Sequence, residues 1–196
     1  MMKKKFYSII SINSPVILGF FFICAAVLAL RYIVPDMTNR LLACYKTGWS
    51  DPHQYLRLFT HIMVHQDYSH FFNNFLLILV VGPMVEEKYG CKNTVLMFLI
   101  TAAATGGIHL LLYRNMLIGA SGVVFALILL ASFTNIREGK LPLTVLLVGL
   151  LYIGSEVVRG LYSNDNISYL SHVAGGFCGA GFGCFYHSGK IRRRPD

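Results

Sequence analysis

RNMLIGASGVVFALILL, residues 114–130, places a tight turn of small residues directly before a long apolar run. The run from 118 to 134 predicts a membrane helix, with the GASG turn at its mouth. A serine such as Ser121 in a membrane helix is usually a packing or hydrogen-bonding residue. It can also be a nucleophile if a neighbouring base activates its hydroxyl. The rest of the sequence has to decide between these two interpretations.

The composition is that of a membrane protein. Of the 196 residues, 55% are hydrophobic and 13% are charged, and the mean hydropathy is +0.58. Soluble domains are about 25% charged. The length fits one compact unit, so we predict a single domain over residues 1–196, with its core at about 15–187.

Six apolar runs are candidates for membrane-spanning helices: roughly 15–34, 71–86, 93–113, 118–134, 142–158 and 168–187. A span needs about 20 mostly apolar residues, so the second and fourth runs are short. The stretch 35–61 is too polar to cross and is predicted to be a structured loop at the membrane surface. We therefore predict an all-α fold, a bundle of six transmembrane helices with this surface loop between helices 1 and 2.

The basic residues of the loops predict the orientation in the membrane. Eleven of the 17 Lys and Arg residues fall on one side of the predicted bundle, and the richer side is expected to be cytoplasmic. Both termini are then cytoplasmic, and the loop 35–61 lies outside. These basic flanks and their contacts with membrane lipids explain the net charge of +8, so no nucleic-acid partner is predicted. The oligomeric state is left open.

Four polar residues fall at a similar depth, in the outer half of the predicted membrane. They are His70 and Asn74 in helix 2, Ser121 in helix 4 and His172 in helix 6. Ionisable groups inside a membrane are costly, so each of them calls for a reason. His70 and Asn74 are four residues apart and therefore share one helix face.

These residue types suit nucleophilic catalysis. A serine hydroxyl needs a base, and the imidazole of His172 titrates near neutrality. A tetrahedral oxyanion needs donors, which the free N–H groups at the start of helix 4 and the side chains of His70 and Asn74 offer. Gly119 has no side chain beside Ser121, so a substrate backbone can approach closely.

Three glycines of helix 6 predict how the serine and the histidine meet. Gly175, Gly179 and Gly183 recur every four residues and give a smooth face for close contact between helices. His172 lies on the same side. If that face packs against helix 4, His172 is brought toward Ser121.

At this point the chain resembles a known family, the rhomboid intramembrane serine proteases. The matching motifs are HQDYSHFFNN at 65–74, GPMVEEKYG at 82–90, GASG at 119–122 and HVAGGFCG at 172–179. They stand in the family's order and spacing, and the resemblance covers about 15–187.

The resemblance implies a rhomboid-like bundle and a Ser–His dyad without a third carboxylate. Ser121 would be the nucleophile and His172 the base, while His70, Asn74 and the Ser121 backbone N–H would form the oxyanion hole, beside Gly119. The expected substrates are single-pass membrane proteins that enter from the lipid and are cut near the outer face. The small six-helix core leads us to expect a bacterial cytoplasmic membrane.

Two positions depart from the family's common pattern. Leu56 stands where a Trp often precedes the arginine of the surface loop, which puts the packing of that loop in question. Phe125 replaces the Tyr that often stacks on the catalytic histidine, so a ring is kept and a hydroxyl is lost.

Other functions fit the sequence less well. HIMVH at 61–65 lacks the glutamate of a metalloprotease HExxH motif, so His61 and His65 are interpreted as residues that hydrogen-bond the loop to the start of helix 2. All five Asp residues lie in loops or the tail, unlike an intramembrane aspartyl protease, and the five cysteines form no CxxC pair. No metal and no cofactor are predicted. A catalytically inactive relative that binds membrane clients, and more remotely a small transporter, stay as alternatives.

Overall fold

The computed structural model describes residues 12–133 and 166–191, together with five further positions between these ranges. The described residues form seven α-helices: α1 (Pro15–Ile33), α2 (Pro35–Leu42), α3 (Pro52–Thr60), α4 (Tyr68–Tyr89), α5 (Cys91–Leu112), α6 (Ser121–Ser132) and α7 (Asn166–Ile191). A single 3₁₀ turn, His61–Met63, follows α3. Within these ranges the β pairing is limited to one antiparallel bridge, between Cys44 and Leu117.

The all-α prediction is confirmed for the described residues. The runs predicted at 15–34, 71–86, 93–113 and 168–187 are present as α1, α4, α5 and α7. By length and composition, α1, α4 and α5 can cross a membrane. The run predicted at 142–158 and the basic residues before position 12 lie outside the described residues.

Helix α6 is shorter than the sequence predicted. It has 12 residues and begins at Ser121, whereas the apolar run was expected to be helical from 118 to 134. The difference has a physical reason, because Leu117 pairs with Cys44 through both of its backbone polar groups and Gly119 has a positive φ of 118°. The chain before Ser121 is thus held out of the helix.

The loop 35–61 is structured, as predicted, and it contains α2, α3 and the start of the 3₁₀ turn. Arg57 is buried at its centre, with 3.0 Å to the Asp51 carboxylate and its guanidinium 4.2 Å from the centre of the Tyr45 ring. The hydrogen bond from the Thr47 hydroxyl contributes most to holding the pKa of the Asp51 carboxyl below its usual range. Leu56, which stands where the family often has Trp, is 54% exposed. Arg57 makes its contacts with Asp51 and Tyr45 without a Trp before it in the chain.

A buried carboxylate joins the start of α1 to the C-terminal end of α4. Helix α1 begins at Pro15 with no side-chain cap, which leaves the N–H groups of its first turn without intrahelical acceptors. Glu86 of α4 accepts from Val16 and Ile17, each at 3.0 Å. Gly82, one turn earlier, allows the close contact, because a Cβ there would lie 2.6 Å from the Ile17 side chain.

We expect Glu86→Ala to destabilise the bundle, because it leaves two donors of α1 unpaired, the buried N–H of Ile17 and the half-buried N–H of Val16. The loss should be about 1–3 kcal/mol in the free energy of unfolding, measured by denaturant titration in detergent. Glu87→Ala is the matched control, since Glu87 is the exposed neighbour on the same helix, and it should change this free energy by less than about 0.5 kcal/mol. Equal losses in the two variants would contradict the capping role.

Candidate active site

Helices α6 and α7 pack with their backbones in direct contact. A Cβ built on Gly175 would lie 2.1 Å from the carbonyl oxygen of Gly122, and one on Gly179 would lie 2.1 Å from that of Ala126. A Cβ on Gly183 would meet the Phe133 ring at 2.7 Å. The predicted glycine face of helix 6 is therefore confirmed, and it packs against the helix that begins at Ser121.

The same contact brings His172 against α6. Ser121 is the first residue of that helix and is half-buried, and Phe125 follows one turn later on the same face. The His172 ring stacks on the Phe125 ring with 4.5 Å between centroids and 9° between planes. The Phe at this position therefore keeps the stacking without the hydroxyl.

The turn before Ser121 is fixed by the backbone. The Gly119 N–H donates to the His61 carbonyl at 3.0 Å, and the φ of Gly119, 118°, lies in a region that side chains with a Cβ rarely adopt. A Cβ on Gly119 would also lie 2.7 Å from both Cε1 and Nε2 of His70. The His70 ring thus contacts the turn that leads into Ser121, and a residue without a side chain is required there.

Helix α4 supplies two polar side chains on the face that meets this turn. Asp67 caps the helix by accepting the His70 N–H at 2.8 Å, and the Gln66 N–H donates to His70 Nδ1 at 3.4 Å. Asn74 lies one turn further along and is 7% exposed. Its Nδ2 has no hydrogen-bond partner among the described residues, although it is buried. A buried amide donor without an acceptor is available to a developing negative charge.

A polar stripe on α5 was not foreseen from the sequence. Thr101, Thr105 and His109 are spaced by four residues and are all buried. Thr105 Oγ1 lies 3.3 Å from His61 Nε2. His109 Nε2 lies 2.7 Å from the Asn115 carbonyl oxygen. Their i, i+4, i+8 spacing was the available signal.

The sequence predicted that His61 and His65 hydrogen-bond the surface loop to the start of helix 2, and the structure gives them other contacts. His61 joins the loop to α5 and to the turn at Gly119, and burial lowers its pKa to about 4, which keeps the ring neutral near pH 7. The His65 ring packs against the His70 and Phe71 rings, with centroids 5.2 and 5.4 Å apart. Among the described residues, no group of three or more His, Cys, Asp or Glu side chains could hold a metal ion.

Comparison with known proteins agrees with this architecture. A family model described as Rhomboid domain matches residues 52–189. The chain is 30% identical to Rhomboid-related protein 1 of Caenorhabditis elegans over 65% of its own length and 38% of that protein. It is 28% identical to Rhomboid-related protein 2 of Mus musculus over 65% of the chain and 46% of that protein. It is 25% identical to the Arabidopsis thaliana RHOMBOID-like protein 12, mitochondrial, over 60% of the chain and 42% of that protein.

The three helices long and apolar enough to cross a membrane, together with this family match, define a helical integral membrane protein. The chain belongs to the rhomboid family. It spans less than half the length of the curated relatives it matches.

We expect Gly179→Ala to separate α7 from α6, because the new methyl group would overlap the Ala126 carbonyl. Overpacking of this kind costs about 1–3 kcal/mol, which thermal unfolding in detergent should record as a lower midpoint. Gly181→Ala is the matched control on the same helix, where a Cβ would meet nothing within 4 Å. A control as damaging as Gly179→Ala would contradict the importance of this contact.

Proposed function

We propose that this protein is an intramembrane serine endopeptidase that works with a Ser–His dyad. The observation that carries the proposal is the stacking of His172 on Phe125, one turn below Ser121, at 4.5 Å and 9°. This stacking supports the assignment of His172 as the base for Ser121, because a serine nucleophile needs a base on the same side of its helix.

In the proposed reaction, the Ser121 hydroxyl attacks the carbonyl carbon of the scissile peptide. His172 accepts the hydroxyl proton and then gives it to the leaving amine, which releases one product and leaves an acyl ester on Ser121. Water then attacks the ester with His172 again as base, and the second product leaves as a carboxylic acid. Phe125 holds the imidazole plane, a task that a carboxylate performs in Ser–His–Asp triads.

The negative oxygen of each tetrahedral intermediate needs donors. The proposed donors are the N–H of Ser121 at the start of α6, the Asn74 amide and the His70 ring, with Gly119 leaving room for the substrate backbone. Helix-start N–H groups have no intrahelical acceptor and carry the positive end of the helix dipole. Asn74 Nδ2 is buried and has no acceptor within residues 12–133 and 166–191, which supports this assignment.

The membrane setting is proposed on the sequence pattern and family membership together. The proposed form is a single domain over 1–196 with six spans, both termini cytoplasmic, and the dyad facing the outer half of a bacterial cytoplasmic membrane. The proposed substrates are single-pass membrane proteins that reach the site from the lipid. The bacterial location rests on the sequence alone, since the three relatives come from eukaryotes.

We expect Ser121→Ala and His172→Ala each to abolish cleavage of a transmembrane substrate, because each removes one half of the dyad. Purified wild-type protein in detergent should also be labelled by a fluorophosphonate probe, and Ser121→Ala should not. Ser132→Ala is the matched control, since Ser132 lies at the other end of α6 and donates to the Ile128 carbonyl at 3.1 Å.

Three outcomes would contradict this mechanism. Retained cleavage in Ser121→Ala would remove the nucleophile, and activity that a chelator abolishes would point to metal chemistry. A folded wild-type protein that neither reacts with probes of several sizes nor cleaves any substrate would favour the second candidate, an inactive member that binds membrane clients.

We expect Asn74→Ala to lower kcat with little change in KM, because the amide donates only to the oxyanion. Removing one donor costs about 100-fold in kcat, less where other donors remain. Asn73→Ala is the matched control, since Asn73 is the exposed neighbour, and it should retain the wild-type kcat. An unchanged kcat in Asn74→Ala, with the fold intact, would take Asn74 out of the oxyanion hole.

A further inference from the structure

The outer end of α1 is attached to the segment that precedes His70. Arg31 donates from Nη1 to the Gln66 carbonyl and from Nε to Asn39 Oδ1 of α2, the latter at 3.1 Å. One residue along, the Tyr32 hydroxyl accepts the Tyr68 N–H at 3.2 Å. Two consecutive side chains of α1 therefore hold the chain on both sides of Asp67, at the start of α4.

The Gln66 residue connects this attachment to the His70 ring. Its carbonyl accepts from Arg31, and its own N–H donates to His70 Nδ1 at 3.4 Å. A neutral imidazole has one protonated and one unprotonated nitrogen. Because Nδ1 accepts a hydrogen bond, the proton of the neutral ring is on Nε2. Nε2 lies on the side of the ring that contacts the turn at Gly119.

We infer that Arg31 is a positioning residue that acts through the Gln66 residue to keep His70 in the tautomer with a proton on Nε2. The inference rests on the proposed oxyanion role of His70. The hydrogen bonds of Arg31 go to Gln66 and Asn39, and its proposed effect is on which His70 nitrogen faces the oxyanion. An Nε2 without a proton would present a lone pair to a negative oxygen, which repels it.

The cap of α4 does not by itself account for this arrangement. Asp67 fixes the backbone N–H of His70, and that bond leaves the ring free to rotate about its side-chain torsions. The bond from Gln66 is the one that distinguishes Nδ1 from Nε2. Arg31 holds Gln66, the residue that supplies this N–H, by donating to its carbonyl oxygen. A residue of α1 can therefore influence the orientation of the His70 ring on α4.

The kinetic test compares Arg31→Met with Arg31→Lys and with Arg40→Met, an exposed arginine of α2. We expect Arg31→Met to lower kcat about tenfold with KM within about twofold, since one of several oxyanion donors is impaired. Arg31→Lys should restore part of the loss, because its ammonium can still donate to the Gln66 carbonyl. Arg40→Met should leave kcat unchanged.

A double-mutant cycle separates this role from a general loss of structure. In a His70→Ala background, Arg31→Met should cause no further loss of kcat, because the ring through which Arg31 acts is gone. If the two losses multiply, Arg31 acts by another route and the inference is overturned. An unchanged kcat in Arg31→Met alone overturns it as well.

A measurement independent of activity keeps this inference apart from the proposed function. ¹⁵N NMR of histidine-labelled Ser121→Ala protein reports the tautomer of His70, assigned by comparison with a His70→Gln spectrum. We expect the Nε2-protonated form with Arg31 present and a mixture or the opposite tautomer in Arg31→Met. The Nδ1-protonated form in the presence of Arg31 would overturn the inference whether or not the protein cleaves any substrate.

Discussion

The arrangement of the site depends on one contact, the backbone approach of α7 to α6 at Gly175 and Gly179. The carbonyl oxygens of Gly122 and Ala126 occupy the space where side chains of α7 would begin. In a membrane there is little hydrophobic force between helices, and close packing of small residues supplies the attraction instead. Because His172 is three residues before Gly175, this contact sets the height of the imidazole and its stacking on Phe125.

The opposite wall of the site comes from the first half of the chain. His70 and Asn74 lie on α4, the turn at Gly119 is bonded to His61, and α1 reaches the same region through Arg31. The two halves meet where the His70 ring touches the Gly119 backbone. A buried donor such as Asn74 Nδ2, which finds no acceptor in the part of the chain that the structure describes, costs stability in the resting protein. That cost is understandable if the donor is kept for a charge that exists only during a reaction, as the proposed mechanism requires.

The sequence predicted those parts of this arrangement that depend on periodicity. The spacing of His70 and Asn74 predicted that they share one face of α4. The four-residue spacing of the glycines in α7 predicted which face of that helix packs against another helix. It misjudged the start of α6, because an apolar run does not reveal that Leu117 pairs with Cys44, 73 positions earlier in the chain. Three other hydrogen-bonded pairs were missed for the same reason: α1 with Glu86, His61 with Thr105, and Arg31 with Gln66. Each joins residues 20 or more positions apart, and no local pattern records such a pair.

The surface loop, residues 35–61, helps to hold the turn before Ser121 although it is not one of the long helices. Arg57 holds the loop together through Asp51 and Thr47, and the loop ends in the 3₁₀ turn whose first residue is His61. The carbonyl of His61 fixes the N–H of Gly119, and its ring reaches Thr105 of α5. The N–H of Gly119 is therefore already used and cannot itself stabilise an oxyanion. The turn held by the loop leads into the first residue of α6, Ser121, whose N–H is the backbone donor of the proposed oxyanion hole.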